Sequence, residues 1–197
     1  DDKVQITTTN AATLTGTKVT STEGVDTIVN IEAVTLLGNE NNNTFVVTGF
    51  FRRVFISGNG GTDTLNFRVD AQNIQPIGTN KLGQINWTDS RPVEPRDQLG
   101  FVRISTGNIE LNLGSTDNIV DLSQWTGTIQ KFDGGTGNNI LQITRDDDMT
   151  LTPGLLTFGK GGSLPLPNVI RFDLVLRGGE GNNRIDASAY TGPVTIY

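Results

Sequence analysis

Carboxylates are the only residues in this 197-residue chain with an obvious capacity for acid–base or metal chemistry, because the sequence has no histidine and no cysteine. A Ser-His-Asp triad, an imidazole base and a thiolate nucleophile are therefore excluded. A pair of carboxylates, as in glycosidases, could be drawn from Asp121, Asp186 and the loop Asp146-Asp147-Asp148. Asp121 and Asp186, however, hold equivalent places in an internal repeat, whereas a catalytic site normally breaks repeat symmetry. The sequence therefore predicts a protein that is not an enzyme.

The repeat is marked by an Asx residue that is followed, two positions later, by an apolar residue. Its six copies begin at Asp2, Asn43, Asp63, Asn118, Asn139 and Asn183, and glycines precede every copy except the first. The spacings between them are 41, 20, 55, 21 and 44 residues, so a long segment alternates with a short one. This alternation divides the chain into three long-plus-short units, about 1–57, 58–133 and 134–197.

Longer matches support the three units. Residues 120–127 match residues 185–192, which places Trp125 opposite Tyr190, and Phe50 holds the same place in the first unit. Residues 4–7 match 141–144, and residues 13–15 match 150–152 in the same register.

Composition and spacing together predict an all-β fold in one domain, a parallel β-helix or β-solenoid. The chain has 24 glycines, and its short apolar segments, such as 44–47, 53–56 and 194–197, end in Gly, Asn or Asp without helical periodicity. A spacing of 20 or 21 residues fits one coil, and the longer spacings are interpreted as two coils with insertions. About nine coils at a strand spacing of about 4.8 Å would make a body of roughly 43 Å. The apolar residues two positions after each Asx should point into the core, namely Val4, Phe45, Leu65, Val120, Leu141 and Ile185.

The Asx residues are predicted to hold turns at related corners of the coils, through bonds to local N–H groups or to the neighbouring coil. Metal binding is the alternative. The recurring aromatic residues Phe50, Trp125 and Tyr190 are predicted to pack in the core or at corners. The alternative is an exposed surface on which sugars stack.

The glycine turns followed by Asx, together with a Thr-Leu-Thr strand and the segment Ile31-Glu32-Ala33-Val34, resemble repeats of very large bacterial surface proteins. These adhesin-like repeats are distantly related to the haemolysin-type (RTX) repeats. The resemblance implies secretion, a parallel β-solenoid and a role in adhesion, matrix or fibres. It also raises calcium, but the motifs occur singly and Asn replaces most of the RTX aspartates. Asp63 and the loop 146–148 are the remaining calcium candidates, and no other cofactor is expected.

The net charge of −6 and a pI near 4.6 argue against nucleic acid as a partner, and no apolar run has the length of a membrane span. The insertion Arg91–Asp97 interrupts the repeat and reads as an ordered surface loop. The chain starts without Met, which suggests a processed protein or a fragment. Its two ends match successive parts of the repeat, so copies of the chain, or tandem repeats, are expected to join end to end.

These features predict a non-catalytic structural protein, located outside the cell or on a bacterial surface, that forms one section of a fibre or filament. An adhesin-type module that binds glycan or a cell surface is the alternative. A polysaccharide-degrading β-helix enzyme is a third interpretation.

Overall fold

The computed structural model describes residues 2–49, 53–69, 73–79, 83–88, 99–105, 108–166, 169 and 172–197. Phe50 and the insertion 91–97 lie outside these residues. The described chain forms twenty-one strands and no α-helix. The strands are β1 (Lys3–Thr7), β2 (Ala11–Leu14), β3 (Lys18–Ser21), β4 (Gly24–Thr27), β5 (Ala33–Leu37), β6 (Thr44–Thr48), β7 (Arg53–Ser57), β8 (Thr64–Val69), β9 (Asn73–Gly78), β10 (Gly83–Thr88), β11 (Leu99–Ser105), β12 (Asn108–Leu113), β13 (Ile119–Asp121), β14 (Lys131–Asp133), β15 (Asn139–Arg145), β16 (Met149–Thr152), β17 (Leu155–Phe158), β18 (Ser163–Pro165), β19 (Phe172–Gly178), β20 (Ile185–Asp186) and β21 (Val194–Ile196).

The strands belong to three sheets. The ten-stranded sheet has the order β1-β5-β7-β11-β10-β9-β13-β15-β19-β21, and the seven-stranded sheet has the order β14-β12-β8-β6-β2-β3-β4. The four-stranded sheet has the order β18-β17-β16-β20. Most pairs are parallel, and the all-β prediction is confirmed.

The chain passes back and forth between the ten-stranded sheet and one of the two smaller sheets. In the first unit β1, β5 and β7 lie in the ten-stranded sheet, while β2–β4 and β6 lie in the seven-stranded sheet. In the second unit the sheets are exchanged, because β8, β12 and β14 lie in the seven-stranded sheet and β9–β11 and β13 in the ten-stranded one. The third unit again begins on the ten-stranded sheet with β15. Each unit therefore has seven strands, and successive units are out of phase by half a coil.

The parallel pairs give the sequence distance between strands that stack on each other. Thr44 is in register with Thr64, and Ile119 is in register with Ile140, so equivalent residues are 20 or 21 positions apart. A half coil is about 11 residues, as from Arg53 on β7 to Thr64 on β8. Each long spacing therefore holds three passes between the sheets plus an excursion of additional strands.

The excursion is an antiparallel meander that replaces one strand by three in every unit. It consists of β2–β4, β9–β11 and β16–β18. In the first and third units its register is the same, because Leu14 pairs with Val19 just as Leu151 pairs with Leu156. With each meander counted as a single pass, the twenty-one strands of the described chain make fifteen passes between the sheets.

Strand alternation and parallel register place apolar columns in one core. Val4, Val34 and Val54 form one column in the ten-stranded sheet. In the seven-stranded sheet Phe45 is in register with Leu65, and both are completely buried. Four of the six residues predicted to point inward are fully buried, whereas Val4 and Ile185, at the two ends, are half-buried against the same cluster. The inward orientation is therefore confirmed.

Candidate functional site

The polar corners between strands are the most regular sites of the molecule, and four of them are built from a glycine and an Asx residue five positions later. A Cβ on Gly58 would lie 1.7 Å from Asp63 Oδ2, and one on Gly38 would lie 2.2 Å from Asn43 Oδ1. Gly134 with Asn139 and Gly178 with Asn183 repeat this spacing. The Asx side chain thus folds back over the glycine, and a larger residue at the glycine would displace it.

Hydrogen bonds join the corners of neighbouring coils. Asp63 Oδ1 accepts the backbone N–H of Asn43, 20 positions earlier, at 2.9 Å, and both residues are buried. Within its own corner, Asn43 Oδ1 accepts the Asn39 N–H at 3.0 Å. The Thr62 N–H donates to Asn42 Oδ1, 20 positions earlier, at 2.8 Å, which is a second bond between neighbouring corners. These contacts are of the two kinds expected from the sequence, to the local turn and to the adjacent coil.

The corners do not form a single row. Asn43, Asp63 and Asn183 lie where the chain leaves the ten-stranded sheet, whereas Asn118 and Asn139 lie where it enters that sheet. Equivalent corners of successive units, such as those of Asn43 and Asn118, therefore lie at opposite edges of the sheets. Asn118, Asn139, Asp63 and Asn43 are each at most 4 % exposed, while Asp2 is exposed and Asn183 half-buried at the ends.

The three consecutive aspartates line an open depression together with Lys160, Gly181 and Asn183. Asp146 Oδ1 accepts the Gly181 N–H at 2.9 Å and the Asn183 side-chain amide at 3.1 Å. Asp147 Oδ1 accepts the Lys160 N–H at 2.9 Å, and Asp148 Oδ1 accepts the Arg184 N–H at 2.7 Å. The ammonium of Lys160 donates to the carbonyl oxygen of Asp146. Each carboxylate therefore holds backbone of a neighbouring segment.

These contacts change the acidity of Asp146. The Asn183 amide, followed by the Gly181 N–H, stabilises the carboxylate and holds the pKa of Asp146 below 3.8. Within the described part of the chain, no three acidic side chains are grouped as ligands for one metal ion. The calcium candidates Asp63, Asp146, Asp147 and Asp148 thus all act as acceptors for backbone N–H groups in this structure.

Asp121 and Asp186 form the same local turn on different sheets. Asp121 Oδ1 accepts the Ser123 N–H at 2.9 Å, and Asp186 Oδ1 accepts the Ser188 N–H at 3.0 Å. The serine hydroxyls donate to the same oxygens, and the Ser188 hydroxyl is the main cause of a lowered pKa of Asp186. Asp121 belongs to the ten-stranded sheet and Asp186 to the four-stranded sheet, so the fold does not place the two on one sheet as a catalytic pair.

The aromatic residues of the repeat differ in burial. Trp125 is 0 % exposed, so its ring offers no face to a sugar, and the stacking alternative is wrong for this residue. The Arg145 guanidinium is near it, donates to the Trp125 carbonyl oxygen and lies 4.1 Å from the centre of the Phe158 ring. Tyr190 is half-buried against the core, and burial raises the pKa of its hydroxyl. Phe50 lies outside the described residues.

The exposed large hydrophobic residues of the described chain are concentrated at two places. Val25 on β4 is 62 % exposed, and Val29 just after it is 67 % exposed. Ile196 on β21 is 45 % exposed, and Tyr197 next to it is 68 % exposed. Both strands are at the ends of their sheets, and the sequence pattern alone did not single out β4.

No protein-family model, no curated protein and no solved structure matches this chain. Among the residues that the structure describes, no helix has the length and apolar character needed to cross a membrane.

Proposed function

We propose that the chain is a non-catalytic structural module, a parallel β-solenoid that forms part of an extracellular fibre or filament on a bacterial surface. The observation that carries this proposal is the seven-strand unit, which occurs three times around one core. Strands of successive coils stack in parallel register 20 or 21 residues apart, as in a solenoid. A body made of identical units has no natural limit to its length, which is the property that a fibre requires.

The use of the polar residues supports a structural role. The six aspartates that could serve catalysis or calcium each accept a backbone N–H; they are Asp63, Asp121, Asp146, Asp147, Asp148 and Asp186. A carboxylate bonded in this way stabilises a turn, and the pKa of Asp146 and of Asp186 is lowered, which disfavours these two residues as general bases. The extracellular location rests on the resemblance to surface-protein repeats.

A glycan-binding module is the second candidate, and one feature of the outer face of the seven-stranded sheet favours it. Asn66, Glu110 and Asn112 form a polar ladder there, in which the Asn66 amide donates to Glu110 Oε2 at 2.7 Å. The Asn112 amide donates to Asn66 Oδ1 at 2.8 Å. Planar amides and carboxylates held in this way could bind sugar hydroxyls.

Immunogold electron microscopy of the producing cells tests the structural proposal. Antibodies against the chain should label extended fibres outside the cell at regular intervals. Label confined to the cell interior would overturn the proposal. Selective retention of the chain on a glycan array would favour the binding module instead. That retention should be lost in the double variant Glu110→Ala, Asn112→Ala and kept in the variant Trp125→Phe.

A further inference from the structure

Successive units of the chain are joined by one recurring strand pair. The sixth strand of the first unit, β6, pairs in parallel with β8, the first strand of the second unit. The sixth strand of the second unit, β13, pairs in parallel with β15, the first strand of the third. In both pairs the residues just after the Asx are in register, Thr44 with Thr64 and Ile119 with Ile140. The sixth strand of a unit therefore specifically receives the first strand of the next.

A second pair forms on the opposite sheet at the first junction. There β7, the seventh strand of the first unit, pairs in parallel with β11, the last strand of the meander in the second unit. At the second junction the corresponding strands, β14 and β18, end the seven-stranded and four-stranded sheets without pairing. The pair of sixth and first strands is thus the constant part of the junction.

The same strands remain open at the two ends of the described chain. In the third unit, β20 pairs only with β16 and β21 only with β19. In the first unit, β1 pairs only with β5 and β4 only with β3. These four strands correspond to the strands that flank the internal junctions, the sixth and seventh of one unit and the first and fourth of the next.

We propose that a second copy of this chain completes that junction, so that β20 of one copy pairs in parallel with β1 of the next. The proposal rests on the fibre function proposed above and names its interface. The register of the internal junctions places Ile185 beside Val4 and Asp186 beside Gln5. On the other sheet, β21 meets β4, and the exposed Ile196 and Tyr197 are brought to the exposed Val25 and Val29.

Side chains at the second junction show what the new contact would contain. Gln142 donates its side-chain amide to Asp121 Oδ2 at 3.0 Å, and the Thr144 N–H donates to the Ser123 hydroxyl at 2.8 Å. By sequence, Gln5 and Thr7 correspond to Gln142 and Thr144, while Asp186 and Ser188 correspond to Asp121 and Ser123. The same residue types are therefore present to repeat both bonds between copies, and Asp186 Oδ2 would accept the Gln5 amide in addition to the Arg184 guanidinium that it already accepts at 3.1 Å.

The interface differs from the simpler arrangement in which β21 extends the ten-stranded sheet into β1. In that arrangement the outward-facing neighbour of Gln5 would be a residue of β21 such as Thr195. In the proposed one, the neighbour is Asp186 on the four-stranded sheet. Successive copies are then rotated by half a coil, as successive units are within the chain.

Cysteine cross-linking distinguishes the two arrangements, because the chain has no cysteine of its own. The full-length variants Gln5→Cys and Asp186→Cys are mixed and oxidised, and the rate of disulfide-linked dimer formation is followed on non-reducing gels. The matched mixture contains Gln5→Cys and Thr195→Cys. An intramolecular control, Asp121→Cys with Gln142→Cys in one chain, shows whether this geometry permits a disulfide.

We expect the Gln5–Asp186 pair to link several-fold faster than the Gln5–Thr195 pair and than either variant alone. Equal rates, or faster linking to Thr195, would overturn the proposed interface, provided that the intramolecular control closes and circular dichroism shows the native fold. Labelled fibres on cells together with such a result would leave the structural function standing and reject only this interface.

Discussion

At the residue scale, the side chains of the corners stabilise backbone, and Asp63 is the clearest case. Its Oδ1 accepts the buried N–H of Asn43, and its side chain covers Gly58. Equivalent corners use asparagine, whose side-chain oxygen can accept the same bond. The negative charge of Asp63 is therefore not needed for this role, but its oxygen is.

Replacement of Asp63 by Ala should lower the free energy of unfolding by about 1–3 kcal/mol, because a buried N–H loses its acceptor. Asp63→Asn should retain most of that stability. Urea denaturation followed by far-UV circular dichroism measures both variants, with Asn41→Ala on the exposed part of the neighbouring corner as control. A larger loss for Asp63→Asn than for Asp63→Ala would contradict the hydrogen-bonding role and indicate that the charge itself matters.

The inward residues could be predicted because strand alternation leaves one choice of face once the Asx position is known. Phe45, Leu65, Val120 and Leu141 are all completely buried. The place of Trp125 could not be fixed in this way, since it lies in a turn, where no alternation applies. Its burial depends on the neighbouring coil, where Gly78 bridges to it and where a Cβ on Gly83 would approach its ring to 2.8 Å.

At the element scale, the antiparallel meanders are what the sequence pattern missed. Their strands are four residues long in the first unit, and the polar turns between them look like ordinary loop sequence. The match of 13–15 with 150–152 showed that the two regions are equivalent but not that each continues into a hairpin. The strands of the first meander pair with each other over short turns, Leu14 with Val19 and Lys18 with Thr27, and such short polar segments have no strong strand propensity of their own.

The hairpin of β3 and β4 is attached to the body by Glu23, and this contact should make it sensitive to acid. Glu23 Oε1 accepts the Thr9 hydroxyl at 2.6 Å and the Thr9 N–H at 2.9 Å. These bonds lower the pKa of Glu23 from 4.5 to about 2. Because the pKa is lower in the folded chain than in the unfolded one, the stabilisation is complete above pH 4.5 and is lost as the pH falls through about 2.

Hydrogen-exchange protection factors of residues 18–27 should therefore decrease between pH 4.5 and about 2, relative to those of β8. Glu23→Gln should show weaker protection at neutral pH and a flatter dependence on pH, since its amide does not titrate in this range. An identical pH profile in the two proteins would show that Glu23 does not anchor the hairpin.

At the scale of the whole molecule, the shift by which successive units exchange sheets could not be predicted from the sequence. Strands of both sheets have the same alternation and the same glycine corners, so a corner at either edge gives the same motif. Only the strand pairs show that Asn43 and Asn118 lie at opposite edges. The three-unit division needed no such information, and residues 1–57, 58–133 and 134–197 contain seven strands each.

Three is an odd number of units, so copies joined through β20 and β1 must alternate in phase. Within each unit, three strands lie on one side, either in the ten-stranded sheet or in a smaller sheet, and four lie on the other side. Two copies are then needed before both sides hold equal numbers of strands, 21 on each. At about 4.8 Å per strand, 21 strands give an axial repeat of about 100 Å. Electron microscopy of fibres assembled from the purified chain, analysed by helical averaging, should give this repeat. Neighbouring copies should be rotated by half a turn and separated by about 50 Å along the fibre axis, the rise of one copy on the same strand spacing. A repeat of one copy without rotation would instead indicate that β21 joins β1 in a continuous sheet.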